Sequence, residues 1–100
     1  MKNAAKEQLK KEISDCLRSQ TEIERIVVFG SFLNSPEPND IDIAIFEDSN
    51  ESYLDLSMKY RRLTRNIARK IPLDIIPIKS AAQSHSFLSE IESGEPIYER

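Results

Sequence analysis

The sequence predicts an α/β (α+β) protein, built on a small mixed β-sheet of three to four strands flanked by helices. Three observations carry that prediction. Residues 3–19 and about 52–70 place apolar side chains at helical spacing. The runs 24–29, 40–46 and 73–78 are rich in β-branched and aromatic residues, as strands are. Helical and strand patterns also succeed one another along the chain, separated by Pro- and Gly-containing segments. At 100 residues the chain is long enough for one core and too short for two, so a single domain over residues 1–100 is expected.

The first helix is read from Ala5, Leu9, Ile13, Cys16 and Leu17, with Lys and Glu on its other faces. The first strand ends in Gly30-Ser31. Two prolines, two asparagines and a serine make residues 32–39 a loop. The second strand alternates strictly: Ile41, Ile43 and Ile45 face one way, Asp40, Asp42, Ala44 and Phe46 the other. Asp48-Ser49-Asn50 supplies a turn and candidate helix caps. Leu56, Tyr60, Leu63 and Ile67 then form a second helical stripe, which must end near Lys70 because Pro72 follows. Pro77 assigns the far end of the third strand to a sheet edge or a bulge. Ser80 with Gln83, or Ser84 or Ser86, could cap a short last helix that includes Phe87, Leu88 and Ile91 and stops at Gly94. A brief strand at Pro96-Ile97-Tyr98 would close the fold.

Composition narrows the function classes. Apolar residues are 39% and charged residues 31%, which fits a globular protein and argues against disorder. No apolar run approaches the ~18 to 20 residues of a membrane span, and the charged start does not lead into a signal-peptide core. Cys16 is the only cysteine, so no intramolecular disulfide can form and a cytoplasmic protein is expected. The net charge of −3 is unevenly spread. Residues 26–58 hold seven acids and no Lys or Arg, whereas residues 59–70 hold six bases and no acid. A general nucleic-acid binder should be basic overall, so nucleic acid is not the expected partner.

Topology turns the order of elements into a site. The eight residues between Ser31 and Asp40 are too few for a crossover, so the first two strands should run antiparallel. The helix after the second strand suits a parallel crossover to the third. One end of the sheet then gathers Gly30, Ser31, Asp40, Asp42 and Asp74. Two carboxylates ~4 Å apart in a medium of effective dielectric ~20 repel by ~4 kcal/mol. With no Lys or Arg nearby in sequence, a divalent ion is the simplest compensation, and oxygen-only ligands favour Mg²⁺ or Mn²⁺ over Zn²⁺. Beside carboxylate-held metal, a Gly-Ser turn can accept a nucleoside triphosphate: glycine lets phosphate approach the backbone, and the serine hydroxyl can bond a phosphate oxygen. Asp74 would ligate the catalytic ion and help deprotonate an acceptor hydroxyl.

Val28-Phe29-Gly30-Ser31, an eight-residue loop, and Asp40-Ile41-Asp42-Ile43 resemble the Gly-Ser…Asp-x-Asp signature of the DNA polymerase β-like nucleotidyltransferases. The small size resembles the minimal nucleotidyltransferases of that superfamily. Leu73-Asp74-Ile75-Ile76 looks like the third-carboxylate strand, and the ending from Ile91 to Glu99 like the Gly-then-Ile/Leu-Tyr finish of these proteins. The resemblance spans residues 24–99. It implies the nucleotidyltransferase fold and transfer of a nucleoside monophosphate, most often AMP from ATP, to an acceptor hydroxyl with Mg²⁺. It also implies a helical HEPN-type toxin partner, for which the transferase acts as antitoxin by adenylylating a tyrosine. By position, Gly30 and Ser31 would hold the triphosphate, and Asp40, Asp42 and Asp74 the metals. The loop lacks the Arg-Gly pair that many members carry after Gly-Ser; Asn34-Ser35 stands there instead.

Blander readings accompany each motif. Alone, Gly30-Ser31 is a strand-ending turn, Asp40 and Asp42 are a solvated strand face, and Asp74 merely begins a strand. A catalytically degenerate module that neutralises a helical partner would keep the same fold. Arg61, Arg65 and Arg69 stack at i, i+4, i+8, as on a solvated helix face or a surface that attracts anions. His85 suits a surface or capping role, and Cys16 a small core position.

Overall fold

The computed structural model describes residues 1–81 and 88–100. The order is α1 (Asn3–Leu17), β1 (Ile23–Phe29), a 3₁₀ turn (Gly30–Leu33), β2 (Ile41–Glu47), α2 (Tyr53–Leu63), α3 (Arg65–Ala68), β3 (Leu73–Lys79), α4 (Leu88–Glu92) and β4 (Glu95–Glu99). The strands form one mixed sheet in the order β3-β2-β1-β4. β1 pairs antiparallel with both β2 and β4, and β2 pairs parallel with β3. Both pairings expected from the connection lengths are present, and β4 supplies the fourth strand. β3 is an edge strand, where Pro77 is tolerated because no neighbour needs its missing N–H on the outer side.

Strand alternation divides the core in two. Ile26, Val28, Ile41, Ile43, Ile45 and Ile75 pack under Leu9, Ile13 and Leu17 of α1, Leu56 and Tyr60 of α2, and Ile67 of α3. On the other face Val27, Phe29, Ala44, Phe46 and Ile78 gather with Ile91 of α4. The face of β2 that bears the carboxylates is therefore covered over half its length, as Ala44 and Phe46 foretold. Removing each such Ile or Phe side chain from water stabilises the fold by about 1.5–3 kcal/mol.

Three local expectations are corrected. The stripe of α1 is Leu9, Ile13 and Leu17, whereas Ala5 is exposed. The single helix expected over 52–70 breaks at Thr64, whose hydroxyl donates to the Tyr60 carbonyl at 2.8 Å. A Thr that bonds back to the i−4 carbonyl competes with the helical ladder and bends it. Ser52 caps α2 by accepting from the Asp55 N–H at 3.1 Å. Ser49 does not: its hydroxyl donates to the buried Glu47 carboxylate at 2.7 Å and accepts from the Glu51 N–H at 3.1 Å, ahead of the first turn of α2. Of the suggested caps, Ser80 instead closes the end of β3, its N–H donating to the Glu47 carbonyl at 2.8 Å, and Ser84 and Ser86, with Gln83, His85 and Phe87, lie outside the described residues. Cys16 is half-buried against the larger core, and burial together with Glu12 and Asp15 pushes its thiol pKa up. No helix among the described residues is long and apolar enough to cross a membrane.

Candidate functional site

β2 is an inner strand, and its N-terminal end is fixed on both sides. The Ile41 N–H donates to the Pro72 carbonyl at 3.0 Å, which aligns the starts of β2 and β3. The parallel register then sets Asp42 opposite Asp74, and the antiparallel register sets Asp42 opposite Phe29, the residue before Gly30. Because side chains two apart share a strand face, Asp40 joins Asp42. One carboxylate oxygen from each of Asp40, Asp42 and Asp74 lies within 4.8 Å of the other two. Asp40 and Asp42 are half-buried and Asp74 is exposed, so the cluster opens to solvent on the β3 side. Neither Asp40 nor Asp74 makes an ion pair among the described residues.

Gly30 completes this end of the sheet. Its φ of +79° is a conformation that glycine alone adopts freely. A Cβ built there would overlap Oδ2 of Asp42, so the carboxylate lies directly against the glycine backbone. The chain then closes into the 3₁₀ turn, and the Ser31 carbonyl accepts from the N–H groups of Asn34 at 3.1 Å and Ser35 at 2.7 Å. All five residues singled out from the sequence, Gly30, Ser31, Asp40, Asp42 and Asp74, are thus at one end of the sheet.

One side chain at this end was missed in the sequence reading. Lys6 of α1 donates from Nζ to the Ser35 carbonyl at 2.7 Å and lies 5.4 Å from the centre of the Phe32 ring. It places a cation on the loop that follows Gly30-Ser31. In the sequence Lys6 is one of several lysines on an amphipathic helix, and nothing in its spacing marks it. A second missed residue is an acid, Glu47, buried at the opposite end of β2 and paired with Lys79 at 3.0 Å.

The donor set is uniform. Three carboxylates with no sulfur or imidazole among them suit a hard divalent ion such as Mg²⁺ or Mn²⁺, and suit Zn²⁺ poorly. Their mutual repulsion gives such an ion a reason to bind there. The cluster lies directly against the glycine turn that follows β1.

Comparison with known proteins identifies the family. The family profile described as polymerase beta, nucleotidyltransferase, matches residues 11–100. No curated protein matches the chain. Among solved structures, a chain in the crystal structure of the toxin-antitoxin MntA-HepT superposes with a TM-score of 0.61 at 17% sequence identity, covering 94% of this chain and 73% of that one. At that identity the likeness is one of fold.

Proposed function

The chain belongs to the polymerase β-type nucleotidyltransferases, and from this premise we propose that it is a minimal member of that superfamily and transfers AMP from ATP to the hydroxyl of a tyrosine on a helical HEPN-type toxin partner, which it thereby silences as antitoxin. The observation that carries the proposal is the convergence of three carboxylate oxygens within 4.8 Å, against the Gly30 turn. A toxin–antitoxin pair among the structures of similar fold supports the choice of partner.

Asp40, Asp42 and Asp74 would hold Mg²⁺, or Mn²⁺, which when bound neutralises the triphosphate and the departing pyrophosphate. The chain's own residues do the remainder. Gly30 lets the Asp42 carboxylate lie against the backbone beside the triphosphate, and the exposed Ser31 offers its hydroxyl to a phosphate oxygen. Asp74, the most open of the three acids, is available to accept the proton of the acceptor hydroxyl. The acceptor oxygen forms a bond to the α-phosphorus as the bond from that phosphorus to the bridging oxygen breaks, and pyrophosphate leaves. Residues 1–100 would form one domain that covers little of its substrate, so the partner completes the site.

A second reading has an observation of its own. The loop carries Asn34-Ser35 where many family members carry Arg-Gly, and the N–H groups of both residues are spent on the Ser31 carbonyl. A degenerate module that binds and neutralises its partner without chemistry would tolerate that loss. Calorimetric titration of ATP in Mg²⁺ and in EDTA, repeated on Asp42→Asn, separates the two. Metal-dependent binding that the variant lacks supports the transferase. An absence of binding in every condition overturns it in favour of the module.

A further inference from the structure

The largest unused feature of the surface lies on the outward side of α2 and α3. Tyr53, Leu54 and Met58 are the large apolar side chains that the described residues leave exposed, at 60%, 66% and 59%. All three sit in the first half of α2. Arg61, Arg62, Arg65 and Arg69 follow along α2 and α3, and all are exposed.

Helical geometry joins the α2 residues into one stripe. At ~100° per residue, Leu54, Met58, Arg61 and Arg62 fall within an arc of about 100° on α2, opposite the buried Leu56 and Tyr60. This stripe runs roughly 12 Å, apolar at its start and cationic beyond, and the exposed Arg65 and Arg69 follow past the break at Thr64. Tyr53 flanks the apolar end.

Charge pairing sets the four arginines apart. Lys59 bridges Glu22 and Glu51, Lys70 pairs with Glu12, Lys79 with Glu47, and Lys10 with Glu7 and Glu95. None of Arg61, Arg62, Arg65 and Arg69 has an ion-pair partner among the described residues. No acid lies between residues 59 and 70 to relieve their mutual repulsion. Arginine and methionine are also among the residues enriched where proteins meet.

We propose that the outer face of α2 and α3 docks an acidic amphipathic helix of a partner protein. Leu54 and Met58 take the partner's apolar residues, and the arginines take carboxylates spaced along the same helix. Arginine suits this role because its planar fork binds carboxylate through two parallel hydrogen bonds. The aliphatic pair favours a protein over RNA, which would call for aromatic platforms among the cations. The stripe is on the sheet face opposite the carboxylate cluster, so the docking surface stands whether or not that site is active.

The test is fluorescence anisotropy on the full chain. The probe is a labelled helical peptide with leucines at i and i+4 and glutamates at i+7, i+8, i+11 and i+15. Its lysine-for-glutamate counterpart and a single-stranded RNA of matching length serve as controls. Saturable binding of the acidic peptide alone is expected. Arg61→Glu with Arg65→Glu, and separately Leu54→Ala with Met58→Ala, should each weaken it about tenfold or more without moving the melting midpoint. The proposal is overturned if the acidic peptide fails to bind. It is equally overturned if RNA binds more tightly through the arginines alone, or if sedimentation shows self-association that the Leu54/Met58 variant abolishes, since a second copy would then be the occupant.

Discussion

Oδ2 of Asp42 occupies the space that a side chain on residue 30 would need. The positive φ of Gly30 and the position of the middle carboxylate are therefore one structural feature, shared by two strands that pair antiparallel. Gly30→Ala should cost about 1–2 kcal/mol from the left-handed backbone alone, and more because the new methyl must displace the Asp42 carboxylate. Thermal melts would read the first effect and ATP titration the second. A variant with unchanged stability and nucleotide affinity would show that the turn opens without strain.

Repulsion within the acid cluster gives a second expectation of opposite sign. Asp40→Asn or Asp74→Asn removes one of three neighbouring charges, and neither residue gives up an ion pair in the process. The metal-free protein should gain roughly 1 kcal/mol, below the ~4 kcal/mol of two close charges because the cluster is open to water. For a domain of this size that is ~4 to 8 °C in melting midpoint. Mg²⁺ should stabilise the wild-type chain and not the variants. Melts with and without Mg²⁺ that are identical in all three proteins would remove the metal from the account.

Periodicity and connection length made most of this legible. Strict alternation in residues 40–46 fixed which side chains share a face with Asp40, and the short connection after Ser31 fixed the antiparallel pairing that brings Gly30 to Asp42. What escaped were features that depend on side-chain competition. Thr64 breaks a helix whose apolar stripe continues unbroken, because a hydroxyl that bonds Tyr60 is invisible to hydropathy. Ser49 looks like a helix cap, but its hydroxyl accepts from the Glu51 N–H, before α2 begins. Lys6 reaches its loop across 29 residues of sequence, a contact that no local pattern encodes.

That contact leads to the third expectation. Lys6 puts a cation on the loop after Gly30-Ser31, where this chain lacks the arginine that many relatives carry. If the lysine serves a triphosphate, Lys6→Ala should weaken ATP binding by about tenfold, and the deficit should shrink as salt screens the interaction. Lys6→Arg should restore much of the affinity. Because Nζ bonds only one carbonyl and one ring, the melting midpoint should move by less than ~1 kcal/mol equivalent. Unaltered ATP affinity in Lys6→Ala would assign the lysine to loop structure alone.

Stability against acid should depend on a partly buried network away from the site. Glu22 is 13% exposed, accepts from the Tyr60 hydroxyl at 2.8 Å and pairs with Lys59 at 2.9 Å. Burial works against its charge, but the hydrogen bonds from Lys59, from its own backbone N–H and from Tyr60 prevail and hold its pKa below the ordinary carboxylate value. Burial, and the bond to Glu22, push the Tyr60 pKa far above its ordinary range, so the phenol stays a donor at any relevant pH. A carboxyl with a depressed folded pKa adds stability in full above its unfolded value, ~4.3, and loses that contribution as pH falls through the folded value. The melting midpoint should therefore hold down to about pH 5 and fall below it. Glu22→Gln should lose about 1–2 kcal/mol at neutral pH, since the amide keeps the Tyr60 bond but not the Lys59 charge pair. The wild-type and variant midpoints should then converge as pH falls from 5 toward 3, and a gap that stays constant over that range would show that the Glu22 charge contributes nothing to the fold.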